Sequence, residues 1–164
     1  MDEDSCLICS RIAAIQAGAN PYFVAEVETG YIVLGDYQFF RGYTLLLSKQ
    51  HVTELHYLAA PLRLQYLHEM SLVAEAVFRA FQPRKLNYEL LGNGEPHLHW
   101  HLFPRYPDDP SPGTPSWKVD KNLRYAPAAR PDAAELLRLK QQLLEALLQL
   151  PDLNIRATWK SLPE

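Results

Sequence analysis

The sequence predicts an α+β fold: an antiparallel sheet of about five strands with a long helix packed on it, and a further helix at the C-terminal end. Three observations carry this prediction. Short β-like runs are joined by connections too brief for parallel crossovers. One long stretch, Pro61 to Phe81, repeats apolar residues at helical spacing. The run His97-Leu98-His99-Trp100-His101-Leu102-Phe103 alternates with the period of a strand.

Each element follows from local chemistry. From Cys6 to Ala17, Ile8, Ile12 and Ile15 recur at helical spacing, and Gly18 stops the helix. Tyr22 to Val27 and Tyr31 to Leu34 read as strands around a turn at Glu28-Thr29-Gly30. Tyr43 to Ser48 is a third strand. Pro61 suits the first turn of the long helix, and Leu62, Tyr66, Met70, Val73 and Val77 give it one apolar face. Pro83 ends it. Leu86 to Leu91 is a fourth strand, and Gly92-Asn93-Gly94 turns into a fifth that carries the histidines. Leu98, Trp100, Leu102 and Phe103 are expected to pack that strand against the core. Beyond Arg105, prolines mark an extended loop. Pro131 then opens a Leu-rich helix through Leu150, whose apolar seam is expected to pack on its own domain, a dimer contact being the alternative.

At 164 residues the chain is long enough for one domain with a real core. Its formal charge of −3 argues against coating a nucleic-acid polymer, which calls for a basic stripe. No apolar run approaches the roughly 18 residues of a membrane span, and Met1-Asp2-Glu3-Asp4 is acidic rather than signal-like, so a cytoplasmic protein without a membrane partner is expected. Cys6 and Cys9 form a C-x-x-C pair, but a redox motif would follow a strand, and none precedes it.

Three of six histidines share one strand face. Next neighbours on such a face lie roughly 6.5–7 Å apart, close enough for all three to touch one bound group. Imidazole exchanges protons near neutral pH, attacks phosphorus and binds metals. Nucleophilic attack and metal ligation are therefore both open readings of this face.

The pattern, flanked by L-G-N-G-E-P and P-R-Y, resembles the signature of the histidine-triad (HIT) superfamily of nucleotide hydrolases and transferases, and within it the bacterial dinucleoside-polyphosphate hydrolase branch. The resemblance runs from Cys6 to about Arg105. It implies a HIT-like catalytic domain at 1–110, with 111–164 a C-terminal loop and helix extension packed on it. It also implies a homodimer whose sheets join, acting on a small nucleotide substrate without an organic cofactor. Carried over residue by residue, His99 is the nucleophile, His101 meets the phosphate, and His97 is a structural partner or metal ligand.

Other positions follow from the same likeness. Cys6, Cys9, His51 and His97 correspond to the ligands of a structural zinc in zinc-bearing relatives, and they make a Cys2His2 set. The other reading is two buried thiols and a His51 bonded to backbone. Asp36 matches an acidic residue that receives ribose hydroxyls, or is an ordinary turn Asp. Leu7 and Ile8 match residues covering the nucleobase, and Asn93 one that donates to phosphate. Arg105 faces the distal phosphates or makes a surface salt bridge. The chain departs from the pattern in having Gly42-Tyr43 where many relatives have Gly-His, and in lacking a Gly-Gln loop that binds the leaving phosphate. Two rival functions stay open: a non-catalytic nucleotide-binding protein, and a hydrolase whose metal sits on the triad.

Overall fold

The computed structural model describes residues 5–161; the acidic Met1–Asp4 lies outside them. Helix α1 spans Leu7–Gln16. Strands β1 (Phe23–Glu26), β2 (Gly30–Leu34) and β3 (Thr44–Ser48) follow, then helix α2 (Ala60–Phe81). Strands β4 (Lys85–Glu89) and β5 (His99–Arg105) precede the short helix α3 (Lys121–Arg124), helix α4 (Ala133–Leu148) and strand β6 (Ala157–Thr158). The six strands form one sheet in the order β4-β5-β3-β2-β1-β6, and every neighbouring pair is antiparallel. This is one strand more than expected, because the two-residue β6 pairs with the edge of β1.

Helices α2 and α4 cover one face. Val73, Ala74 and Val77 of α2 and Leu139, Leu143 and Leu147 of α4 join Ile32, Leu46 and Leu102 of the strands in the main core. Of the Leu-rich seam, Leu136, Leu143, Leu144 and Leu147 thus pack on their own chain, while Leu137 and Leu148 are exposed. Burying each such side chain contributes roughly 1.5–3 kcal/mol before conformational entropy is set against it. The Tyr66 hydroxyl, deep in this core, donates to the Leu46 carbonyl at 2.9 Å. Buried Glu69 accepts the backbone N–H groups of Glu28 and Thr29 at 3.2 and 3.0 Å, locking the β1–β2 turn onto α2.

The opposite face is covered by α1, whose Ile8 and Ile15 pack on Phe23, Tyr31, Val33 and Leu47. Cys6 caps α1, its sulfur accepting the Cys9 N–H at 3.4 Å. At the end of α2, Gln82 adopts φ 48°, the left-handed stop that the following Pro83 reinforces.

Two expectations about the histidine run need correction. Strand β5 begins at His99, so His97 precedes it, in a stretch where the Leu98 N–H donates to the Val52 carbonyl at 2.7 Å. Phe103 does not join the main core; alternation puts it on the face of His99 and His101, packed with Phe40 and Val119.

Candidate active site

Register builds the centre of the site. β5 pairs with β3 so that His101 faces Leu45 and His99 faces Leu47, while on the other side His101 faces Glu89 of β4. The ring centroids of His99 and His101 are 4.5 Å apart. His99 is buried, and its Nδ1 donates to the His97 carbonyl at 2.6 Å. A carbonyl only accepts, so Nδ1 carries the proton and the neutral ring keeps its lone pair on Nε2. Burial pushes the His99 pKa down, partly offset by this hydrogen bond and by Glu95. The neutral, nucleophilic form is favoured.

His101 is fixed differently. Its Nδ1 lies 2.6 Å from the Tyr43 hydroxyl. Burial keeps that phenol protonated, raising its pKa above the ordinary value. The O–H, with no other acceptor among the described residues, donates to Nδ1, which puts the imidazole proton on Nε2. Burial, then the neighbouring His99, lowers the His101 pKa to about 3. Neighbouring imidazoles thus present opposite chemistry: a lone pair on His99 and an N–H donor on His101. Tyr43 and His101 both lie nearly parallel to the Phe103 ring, at 13° and 8°.

Two cavities meet at these rings. One, of about 280 Å³, has Ile8, Val33, Leu45 and Leu47 as apolar walls. The half-exposed Leu7 stands at it, together with Arg11 and Asp36. Arg11 donates to both Asp36 oxygens at 2.7 and 2.6 Å. The second, of about 400 Å³, includes Asn93, Trp117, Lys121 and Arg124. Tyr43, Glu95, His99, His101 and Tyr125 line both.

His97 plays another part. Its Nε2 donates to the Ser48 carbonyl at 2.8 Å, so Nδ1 faces the Cys6 and Cys9 sulfurs at 3.5 and 3.4 Å. His51 Nδ1 lies 3.1 Å from the Cys9 sulfur. The three imidazoles therefore do not converge on one bound group. The four donor atoms of Cys6, Cys9, His51 and His97 lie within 4.8 Å of one another. Tetrahedral zinc, with bonds of about 2.3 Å to sulfur and 2.0–2.1 Å to nitrogen, separates its ligand atoms by roughly 3.3–3.8 Å, so the set fits that ion. The Ser48 carbonyl orients one imidazole from behind, as ligating histidines require.

The remaining expected residues are placed as follows. Asn93 is exposed, in the turn before β5 rather than on a strand. Arg105 lines none of the cavities that reach His99; it is buried and donates to Asp109 at 2.7 Å, Asn87 at 3.1 Å, and the Thr114 and Ser111 carbonyls at 2.6 and 2.9 Å. Its role is to clasp the loop after β5, not to meet a distal phosphate. The sequence reading missed Tyr43 as a positioning group, although its place after Gly42 was the available signal. Arg11, Trp117 and Lys121 carried no signal.

Residues 21–108 match the model of the HIT domain. The chain is 32% identical over 109 residues to "Protein hit" of Bacillus subtilis (strain 168), across 63% of this chain and 72% of that one. Among solved structures, a histidine triad protein from Marinobacter aquaeolei VT8 superposes with a TM-score of 0.68 at 24% identity, over 86% of this chain and 95% of that one. A Zn-bound histidine triad family protein from Mycobacterium smegmatis gives 0.61 at 21%, over 90% and 96%. These two likenesses are of fold. No helix among the described residues is long and apolar enough to cross a membrane.

Proposed function

The chain belongs to the HIT domain family, and from that premise we propose that it is a nucleotidyl hydrolase or transferase acting on adenosine-containing phosphoanhydrides or phosphoramidates, dinucleoside polyphosphates among them. The observation that carries this reading is the pair of anchored Nδ1 atoms, that of His99 on the His97 carbonyl and that of His101 on the Tyr43 hydroxyl, from which the opposed tautomers follow. A nucleophile and a donor to the non-bridging oxygens stand side by side, as in-line transfer at phosphorus requires.

In this reading the nucleoside lies in the cavity of Leu7 and Ile8. Its ribose competes with Arg11 for Asp36. His99 Nε2 attacks the α-phosphorus, the leaving group departs opposite, and the nucleotide rests on His99 until water releases it. His101 Nε2–H holds an equatorial oxygen throughout. His97 supplies the carbonyl that orients His99. In this reading Asn93, exposed beside the second cavity, meets phosphate.

Cys6, Cys9, His51 and His97 would hold a structural zinc. Bound there, the ion supplies cross-linking between α1, the end of β3 and the entry to β5, and no chemistry to the substrate. A hydrolase with its metal on the triad is disfavoured, because the His97 ring turns to the thiols. We further propose a cytoplasmic homodimer joined through sheet edges, taking small nucleotides rather than nucleic-acid polymers.

The test is nucleoside-monophosphate release from diadenosine tetraphosphate and from adenosine phosphoramidate, by the native chain and by His99→Ala. Turnover that falls by about 10³ or more in a folded His99→Ala chain supports the reading. Equal rates in both proteins refute His99 as nucleophile, and tight nucleotide binding by a native chain without turnover makes it a binding protein.

A further inference from the structure

The family match ends at residue 108, yet one wall of the 400 Å³ cavity is built from residues beyond it. Trp117, Lys121, Arg124 and Tyr125 line this hollow together with His99 and His101. The segment bearing them is anchored. Ser116 is fully buried, and its hydroxyl donates to the Glu89 carboxylate. Val119 packs on Phe40 and Phe103. The Gln38 N–H donates to the Ala129 carbonyl at 2.7 Å.

Anchored as it is, the segment leaves Trp117 54% exposed; Tyr125 is exposed to the same degree, its ring packed with Tyr37 at 5.4 Å and with the Arg124 guanidinium at 5.4 Å. An aromatic face held open on a fixed segment beside a cavity is a stacking surface for a planar group. The charges beside it are two cations, Lys121 and Arg124, and two carboxyls, Glu89 and Glu95. Glu89 accepts the Ser116 hydroxyl, and burial raises its pKa while Arg124 and Arg105 lower it.

In-line displacement puts the leaving group opposite the attacking nitrogen, so a nucleoside in the first cavity directs it to the second. Resting on the nucleotidyl-transfer reading above, we infer that this second cavity is the leaving-group site, where Trp117 stacks an aromatic base while Lys121 and Arg124 meet its phosphates. The preferred leaving group is a second nucleoside carried on phosphate. The bond between the α-phosphorus and its bridging oxygen breaks, its electron pair departing with that oxygen on the leaving phosphate. The Nε2–phosphorus bond forms in its place, and water later cleaves it. The segment 115–125 does for the leaving group what the absent Gly-Gln loop would do.

The test measures binding and turnover separately. Calorimetric titration of the His99→Ala chain compares adenosine monophosphate with diadenosine tetraphosphate, neither of which that chain consumes. The dinucleotide is expected to bind at least about tenfold tighter, the size of one base–aromatic stack. Adding Trp117→Ala is expected to remove most of that advantage and leave the monophosphate unchanged, while Trp117→Phe retains it. Equal affinities for the two ligands, or an advantage that survives Trp117→Ala, overturn the proposal. Turnover of adenosine phosphoramidate by the native chain, a substrate with no second base, reports on the reaction itself. Turnover without the dinucleotide advantage overturns the leaving-group site alone. A dinucleotide advantage without turnover of either substrate leaves a binding cleft and overturns its role in departure.

Discussion

The Tyr43 hydroxyl sits 2.6 Å from Nδ1 of His101, on a ring that is itself stacked 4.2 Å from Phe103. Tyr43→Phe keeps the stack and deletes the hydrogen bond that sets the His101 tautomer. The expected result is a fall in kcat of about tenfold, the worth of one orienting hydrogen bond, with KM for the nucleotide changed by less than about twofold. Steady-state kinetics check it. A rise in KM at constant kcat would assign Tyr43 to substrate binding instead.

The depressed pKa of His101 makes stability depend on pH. The folded value is about 3, against an ordinary 6.5, so between these the unfolded chain binds more protons. Stability from this residue is therefore present above pH 6.5 and is lost as pH falls toward 3. Denaturant titrations at pH 7, 5.5 and 4.5 should show a steeper decline in the native chain than in His101→Gln. Contributions common to both proteins drop out of the difference.

Elemental analysis of protein purified without chelator should find about one zinc per chain, and Cys9→Ser should lower that content markedly. Chelation is expected to reduce the thermal midpoint by at least about 5 °C. A metal-free chain with an unchanged midpoint would make the four residues a hydrogen-bonded cluster and nothing more.

Arg105 and Asp109 are 4% and 8% exposed. Arg105→Met leaves a buried carboxylate unpaired and three further acceptors unmet, at an expected cost of about 3–5 kcal/mol by urea denaturation. The double change Arg105→Met with Asp109→Leu should recover much of that loss. A single substitution costing under about 1 kcal/mol would show that the loop is held by other contacts.

Legibility in the sequence followed periodicity. Helix α2 was visible because Tyr66, Val73 and Val77 repeat on one face and Pro61 and Pro83 bound it. The pairing of His99 with His101 was visible because alternation puts them on one side of β5. Where β5 starts was not, since Leu98 is held by Val52 before regular pairing begins, and the alternation of side chains runs through that boundary unchanged. β6 is two residues long, too short for any pattern. Tertiary placement was hidden as well: nothing local in Asp36 announces Arg11 from another element, and nothing in the Pro-rich stretch near Trp117 announces a cavity wall. The grouping of the C-x-x-C pair with His51 and His97 was readable through the family likeness, and the fold brings the four donor atoms together.

His97 gives its ring to the thiol cluster and its carbonyl to His99. One residue thereby serves two masters: a scaffold joint through its side chain and a tautomer setting through its backbone. Position 97 cannot be tuned for robustness without detuning the nucleophile. A chain of this design stripped of Cys6 and Cys9 would need some other brace for that imidazole before its neighbour could be relied on to hold the right proton. Engineering for durability should therefore begin at the far edge of the sheet, at β6 and α4, where a change in packing is not also a change in chemistry.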